Sequence, residues 1–153
     1  MNRLVFIIGV ITMSSGCVQR AVTPTTTTQI NQQVKSPPAF RAEDNEVCNQ
    51  IENNLRNSAV SLKQCVSSNT VKFKNKTKNT DDIVTAVSYS CDKEITDFSI
   101  KSEGNSLCDL ARKKGQSFMY TMNYFNGMLP SREEQKAAVI KTIRPQIITN
   151  AIK

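Results

Sequence analysis

The side chains with most chemistry to offer in this 153-residue chain are its five cysteines, a row of alternating lysines and adjacent carboxylate pairs such as Asp81/Asp82 and Glu133/Glu134. Cys48, Cys65, Cys91 and Cys108 form an even set in a chain of modest size, a pattern that reads as two disulfides. No CxxC occurs, so neither a thioredoxin-like redox centre nor a zinc knuckle has a motif behind it. The absence of histidine removes Ser-His and Cys-His dyads and the common zinc ligand sets. Asp81/Asp82 and Glu133/Glu134 fall where helices should begin, and dipole compensation accounts for them. Nothing matches GxSxG, a P-loop or a dinucleotide fingerprint. The expectation is a non-enzyme without catalytic residues, metal site or cofactor.

Two further groups of side chains suit recognition rather than catalysis. Lys72, Lys74, Lys76 and Lys78 alternate through VKFKNKTKN; an extended backbone would put four ammonium groups on one side, facing an anionic polymer or lipid surface. A solvated connecting loop is the plainer reading of the same run. Between Phe118 and Leu129 the aromatic and methionine content is concentrated, covering more than one face of a helix. Core packing takes part of it, and Met119, Tyr120 and Tyr124 are the candidates for a partner surface.

The elements that must position these groups are mainly helical. Val47, Ile51, Leu55, Ala59, Leu62 and Val66 recur at steps of three and four, which predicts a helix over 43–66. Cys48 and Cys65 border that stripe, about 25 Å apart along a helix axis, too far for a mutual disulfide. A second helix is expected from Thr80, carrying Val84, Val87, Cys91, Ile95 and Phe98. Its β-branched residues also alternate, so a small antiparallel sheet within 71–101, giving an α+β fold, is the competing reading. Four cysteines admit three pairings. The equal 17-residue spacings, Cys48 to Cys65 and Cys91 to Cys108, fit nested Cys48–Cys108 and Cys65–Cys91 links across an antiparallel hairpin. Gly104-Asn105 breaks that second arm and counts against the nested pairing. A third helix is expected from Asn105 or Ser106 to near Gly127, and a fourth from the Ser131/Glu134 capping box, weakened or kinked at Pro145. The fold class is a small disulfide-stapled helical bundle.

The first residues carry an address. Met1-Asn2-Arg3 is a short basic lead, and Leu4 to Met13 is uncharged. Ten helical residues span about 15 Å, half a bilayer core, which fits a secretory signal better than a membrane span. Ser14-Ser15-Gly16-Cys17 follows, and here the chain resembles a bacterial lipoprotein, whose signal ends in small residues before a lipid-bearing cysteine. The resemblance implies cleavage after Gly16, acylation of Cys17 with palmitate among the chains, and anchoring in the cell envelope. With Val18 rather than aspartate next, it implies the outer membrane, with the protein facing the periplasm.

The domain plan is therefore 1–16 signal, 17–42 lipidated cysteine and flexible Thr/Pro/Gln tether, and 43–153 globular domain. All 13 acidic and 16 of the 20 basic residues lie in 43–153, leaving the domain at only +3. Nucleic acid is accordingly not an expected partner. The partners expected are the membrane, through the lipid on Cys17, and an unidentified envelope protein. The leading expectation is an accessory or protein-binding lipoprotein, such as one serving a secretion or conjugation apparatus. Two alternatives are an inhibitor or immunity lipoprotein against a toxic enzyme, and a lipoprotein that contacts the cell wall or another anionic polymer.

Overall fold

A computed structural model describes residues 36–153; the expected signal, Cys17 and residues 18–35 of the tether lie outside them. Five helices follow one another: α1 (Ala42–Lys74), α2 (Thr80–Ser90), α3 (Asp92–Lys114), α4 (Phe118–Phe125) and α5 (Arg132–Ile152). No strand occurs among the described residues, and the one bridge joins Ala39 to Gln116. The fold is the disulfide-stapled helical bundle, and the sheet alternative for 71–101 is excluded. The β-branched run IVTAV is helical because Ile83, Val84 and Val87 are buried against α1 and α5, and that packing outweighs a weak β preference.

α1 is longer than its apolar stripe predicts. Its 33 residues make a rod of about 50 Å, and its inner face is Cys48, Ser58, Leu62, Val66 and Thr70. Val47, the first residue of the predicted stripe, points outward with 42% exposure, while its neighbour Cys48 faces in. The helix ends by running into the lysine segment: Lys72 and Lys74 complement the dipole at its last turn.

The break predicted at Gly104-Asn105 does not occur, and the return arm is interrupted at Cys91 and Gly115 instead. The helix starting at Thr80 stops at Ser90, with Cys91 (φ −107°, ψ 19°) ending α2 and starting α3. α3 then runs without interruption through Gly104-Asn105, where a break is expected, and stops at Gly115 in the left-handed region (φ 62°). The helix predicted over 105–127 is thus the second half of α3 followed by α4, two elements separated by Gly115–Ser117. Gly104 costs helix propensity, but its inner side meets only Ile51, and the packing of α3 on α1 carries the helix through it.

The crosslinks are Cys48–Cys108 and Cys65–Cys91, with Cα separations of 5.5 and 5.9 Å. Each anchors its own apolar cluster. Cys65 and Cys91 sit with Leu62, Val66, Ile83, Val87, Ile95 and Ile147; Cys48 and Cys108 sit with Leu107, Ala111 and Phe118. α5 starts from the expected box, Ser131 N–H donating to Glu134 (2.8 Å) and Glu134 N–H to Ser131 Oγ (3.3 Å). It continues to Ile152 past Pro145, which stands at an exposed position.

Two stability outcomes follow from this packing. A Cβ on Gly104 would meet Ile51 Cγ2 at 3.4 Å, an ordinary contact, so Gly104→Ala should raise stability by roughly 0.5–1 kcal/mol, seen as a higher urea midpoint at unchanged slope. Replacing Cys48 and Cys108 by alanine opens a link of 60 residues' separation and should cost roughly 4 kcal/mol; the 26-residue Cys65–Cys91 link should cost roughly 3.5. A midpoint that barely moves in either pair would show that the link does not constrain the unfolded chain.

Candidate functional site

The candidate partner surface is built on α4, and its mounting starts from one carboxylate. Asp44, in the first turn of α1, accepts the Arg41 N–H through Oδ2 (2.9 Å), completing the N-terminal cap of α1. Its other oxygen, Oδ1, accepts the Phe118 N–H (2.9 Å) and the Ser117 hydroxyl (3.2 Å), and so caps α4 as well. A single side chain therefore satisfies donors at two helix starts, the second of them 74 residues beyond Asp44 in sequence. Burial pushes the Asp44 carboxyl up, but the bonds from Arg41, Phe118 and Ser117 outweigh it and hold the group below the usual aspartate value.

Around this cap the chain entering the domain is strapped down. Ser117 N–H donates to Pro38 O (2.7 Å) and Phe40 N–H to Gly115 O (2.9 Å), while Phe40 packs on the Cys48–Cys108 cluster. Residues 38–41, read from sequence as the end of the tether, thus dock on the bundle. Phe118 and Thr121 supply the inner face of α4, both buried, with Met122 and Phe125 partly buried beside them.

The outer face carries the side chains singled out in the sequence. Met119 and Tyr124 are each 56% exposed, Met128 just beyond is 66% exposed, and Tyr120 is half-buried. Tyr120 and Tyr124 stack at 6.2 Å between centroids, and Tyr124 meets the edge of Phe125 at 5.0 Å. The result is a Met/Tyr face whose rings are held by one another and whose helix is fixed at its start.

The lysine run gives no comparable surface. Lys72 and Lys74 lie on helix α1 while Lys76 and Lys78 lie in the connection to α2, so the extended row of four ammonium groups does not form. Lys72 and Lys76 instead stand over the Phe73 ring, at 5.6 and 5.7 Å from its centroid. The other cysteines named from sequence are engaged in the two crosslinks, and Cys17 lies outside the described residues.

Sequence reasoning missed one feature entirely, a half-open cavity of about 950 Å³ between α1, α3 and α5. Its lining comes from three helices and from Phe125, Leu129 and Pro130, so no local pattern could reveal it. The only sequence signal is small residues along its lining: Ala59, Ser99 and Ser102 within it and Ser106 and Ala138 at its exposed edge.

No protein-family model, curated protein or solved structure matches this chain.

The shared cap has a pH signature. Because the folded-state value of Asp44 is depressed, its contribution is complete above about pH 4 and is lost as pH falls through the lower folded value. Asp44→Ala removes both caps, so it should cost about 2 kcal/mol at neutral pH and flatten the acid limb of the stability profile. Amide exchange should accelerate across Phe118–Phe125 in that variant; unchanged exchange there would show that α4 is held by packing alone.

Proposed function

We propose that the protein is a membrane-anchored envelope lipoprotein whose helical domain acts as a non-enzymatic protein-binding module, an accessory to an envelope apparatus such as a secretion or conjugation machine. The observation that carries this reading is the face of α4. Met119, Tyr124 and Met128 stay more than half exposed although the helix beneath them is capped and anchored in the core. Exposing methionine and tyrosine on a fixed helix is unfavourable in isolation and suits a surface that a partner covers. The Ser14-Ser15-Gly16-Cys17 sequence supports the anchor, with acylated Cys17 holding the chain to the outer membrane and the domain in the periplasm.

An inhibitor or immunity lipoprotein would use the same face with tight one-to-one binding to one enzyme. The wall-contact reading is weakened by the dispersal of Lys72, Lys74, Lys76 and Lys78 between a helix end and a connection.

Two measurements test the proposal. Labelled palmitate should be incorporated into the native chain and not into Cys17→Ser; equal labelling, or none in either, removes the anchor. A photo-crosslinker at position 119 or 124 should give one discrete adduct with an envelope protein, whereas the same group at Val60, 56% exposed on α1, should not. The double variant Met119→Ser, Tyr124→Ser should weaken that partner roughly a hundredfold with little change in the urea midpoint. Equal adducts from Val60 would remove α4 as the binding face.

A further inference from the structure

The cavity between α1, α3 and α5 has a division of chemistry that a packing defect would not need. It is a half-open cleft of about 950 Å³. That size lies at the upper end of small-molecule sites, about 300–1,000 Å³. The space exists because Ala59, Ser99, Ser102 and Ala138 stand where leucine or phenylalanine would close it. Its depth is apolar: Leu62, Val66, Leu107 and Val139 are buried, and Phe98, Leu110, Phe125 and Ile143 are half-buried around them.

The rim is different. The exposed lining residues are Lys63, Ser106, Pro130, Ala138, Thr142 and Gln146, and they include none of the large exposed hydrophobic side chains found among the described residues. The apolar lining therefore lies deep and the polar groups lie at the mouth. The occupant indicated is a molecule with an apolar tail that enters and a polar head that stays at the mouth.

Charge decides the head. Two charged side chains line the cavity, Lys63 and Glu103. Glu103 is already engaged, accepting from Gln135 Nε2 (2.6 Å) and facing Arg132 at 3.7 Å. Lys63 has no ion pair among the described residues, and α1 carries no acidic residue beyond Glu52. An anionic head at the rim would therefore find an unneutralised ammonium and nearby hydroxyl and amide groups.

We propose that this cavity binds a single-chain anionic amphiphile, a fatty acid or an anionic lysophospholipid, with the acyl chain between α1, α3 and α5 and the head beside Lys63. The site shares Phe125 with α4 but none of the exposed Met119, Tyr124 and Met128, and it does not rest on the partner-binding reading.

The test uses the full chain in nanodiscs with a palmitate carrying a photoreactive group at its methyl end. Adducts should concentrate in residues 98–110 and 138–143 and be absent from 118–124. Unlabelled palmitate or lysophosphatidylglycerol should suppress them, and the stronger of these two competitors identifies the source. A neutral monoacylglycerol with the same tail should compete roughly tenfold less well, and Lys63→Glu should lower the yield by a similar factor. Ala138→Phe, at an exposed position, and Ser102→Leu each fill the space and should abolish the adducts while circular dichroism and both crosslinks remain intact. Adducts spread over the surface, or surviving both filling variants, overturn the site. Equal competition by the monoacylglycerol, or no response to Lys63→Glu, overturns the anionic head.

Discussion

Two covalent links between rods of matched length are the constraint on which the rest of this bundle depends. Cys48 and Cys65 lie on one unbroken helix, so their separation along the axis is fixed near 25 Å. Both can close on Cys108 and Cys91 only if the returning chain rises by the same amount over the same number of residues. A helix from Asp92 through Cys108 does so, and a turn at Gly104-Asn105 would not. The crosslinks and the continuity of α3 therefore support each other. The break that connectivity does require falls at Cys91, where α2 ends, the chain changes direction and the half-cystine serves both helices.

This arrangement also explains why the interior is divided. Each disulfide gathers apolar side chains at its own level, one cluster around Cys65–Cys91 and another around Cys48–Cys108. At both levels a crosslink holds the return chain at a set distance from α1, so small side chains at Ala59, Ser99 and Ser102 are not compensated by drawing the rods together. In an unlinked bundle a comparable loss of volume would be partly relieved by collapse. The same substitutions in a stapled bundle leave a lasting cavity, which is a prerequisite for a site with a defined shape.

The sequence made the long helical stripe and the capping box at Ser131 legible, because each rests on periodicity or spacing within one element, while the equal cysteine spacings suggested the nested pairing without deciding it. The Leu62/Val66 part of the stripe is core as expected, and Glu134 returns to Ser131 as its spacing requires. What was not legible depends on contacts distant in sequence. Gly104 reads as a breaker until Ile51 is seen beside it. IVTAV reads equally as strand or helix until its burial against α1 and α5 decides. Gly115 stops α3 in a way that the apolar pattern running on through Phe118 and Met122 hides. For the candidate surface, residue type alone identified Met119 and Tyr124, but their exposure follows from Asp44, which reads locally as an ordinary first-turn acid.

The position of that cap bears on how the proposed module would work. The chain coming from the tether joins the bundle through Pro38 and Phe40, beside Gly115 and Ser117, and enters α1 past Asp44. Cys48 follows within the next turn and hands the connection to α3 through Cys108. A pull transmitted from an anchor at Cys17 would thus be received by backbone pairing, a charged cap and a covalent link before it reached the interior. α4 begins at that same junction, so a partner held on Met119 and Tyr124 would be coupled to the anchor by a short, stiff path. The Cys65–Cys91 cluster stands off that path, whereas the cavity touches it through Leu107, Phe125 and Leu129, which also pack in the Cys48–Cys108 cluster. A ligand in the cavity would therefore contact the inner side of the junction from which α4 presents Met119 and Tyr124 outward.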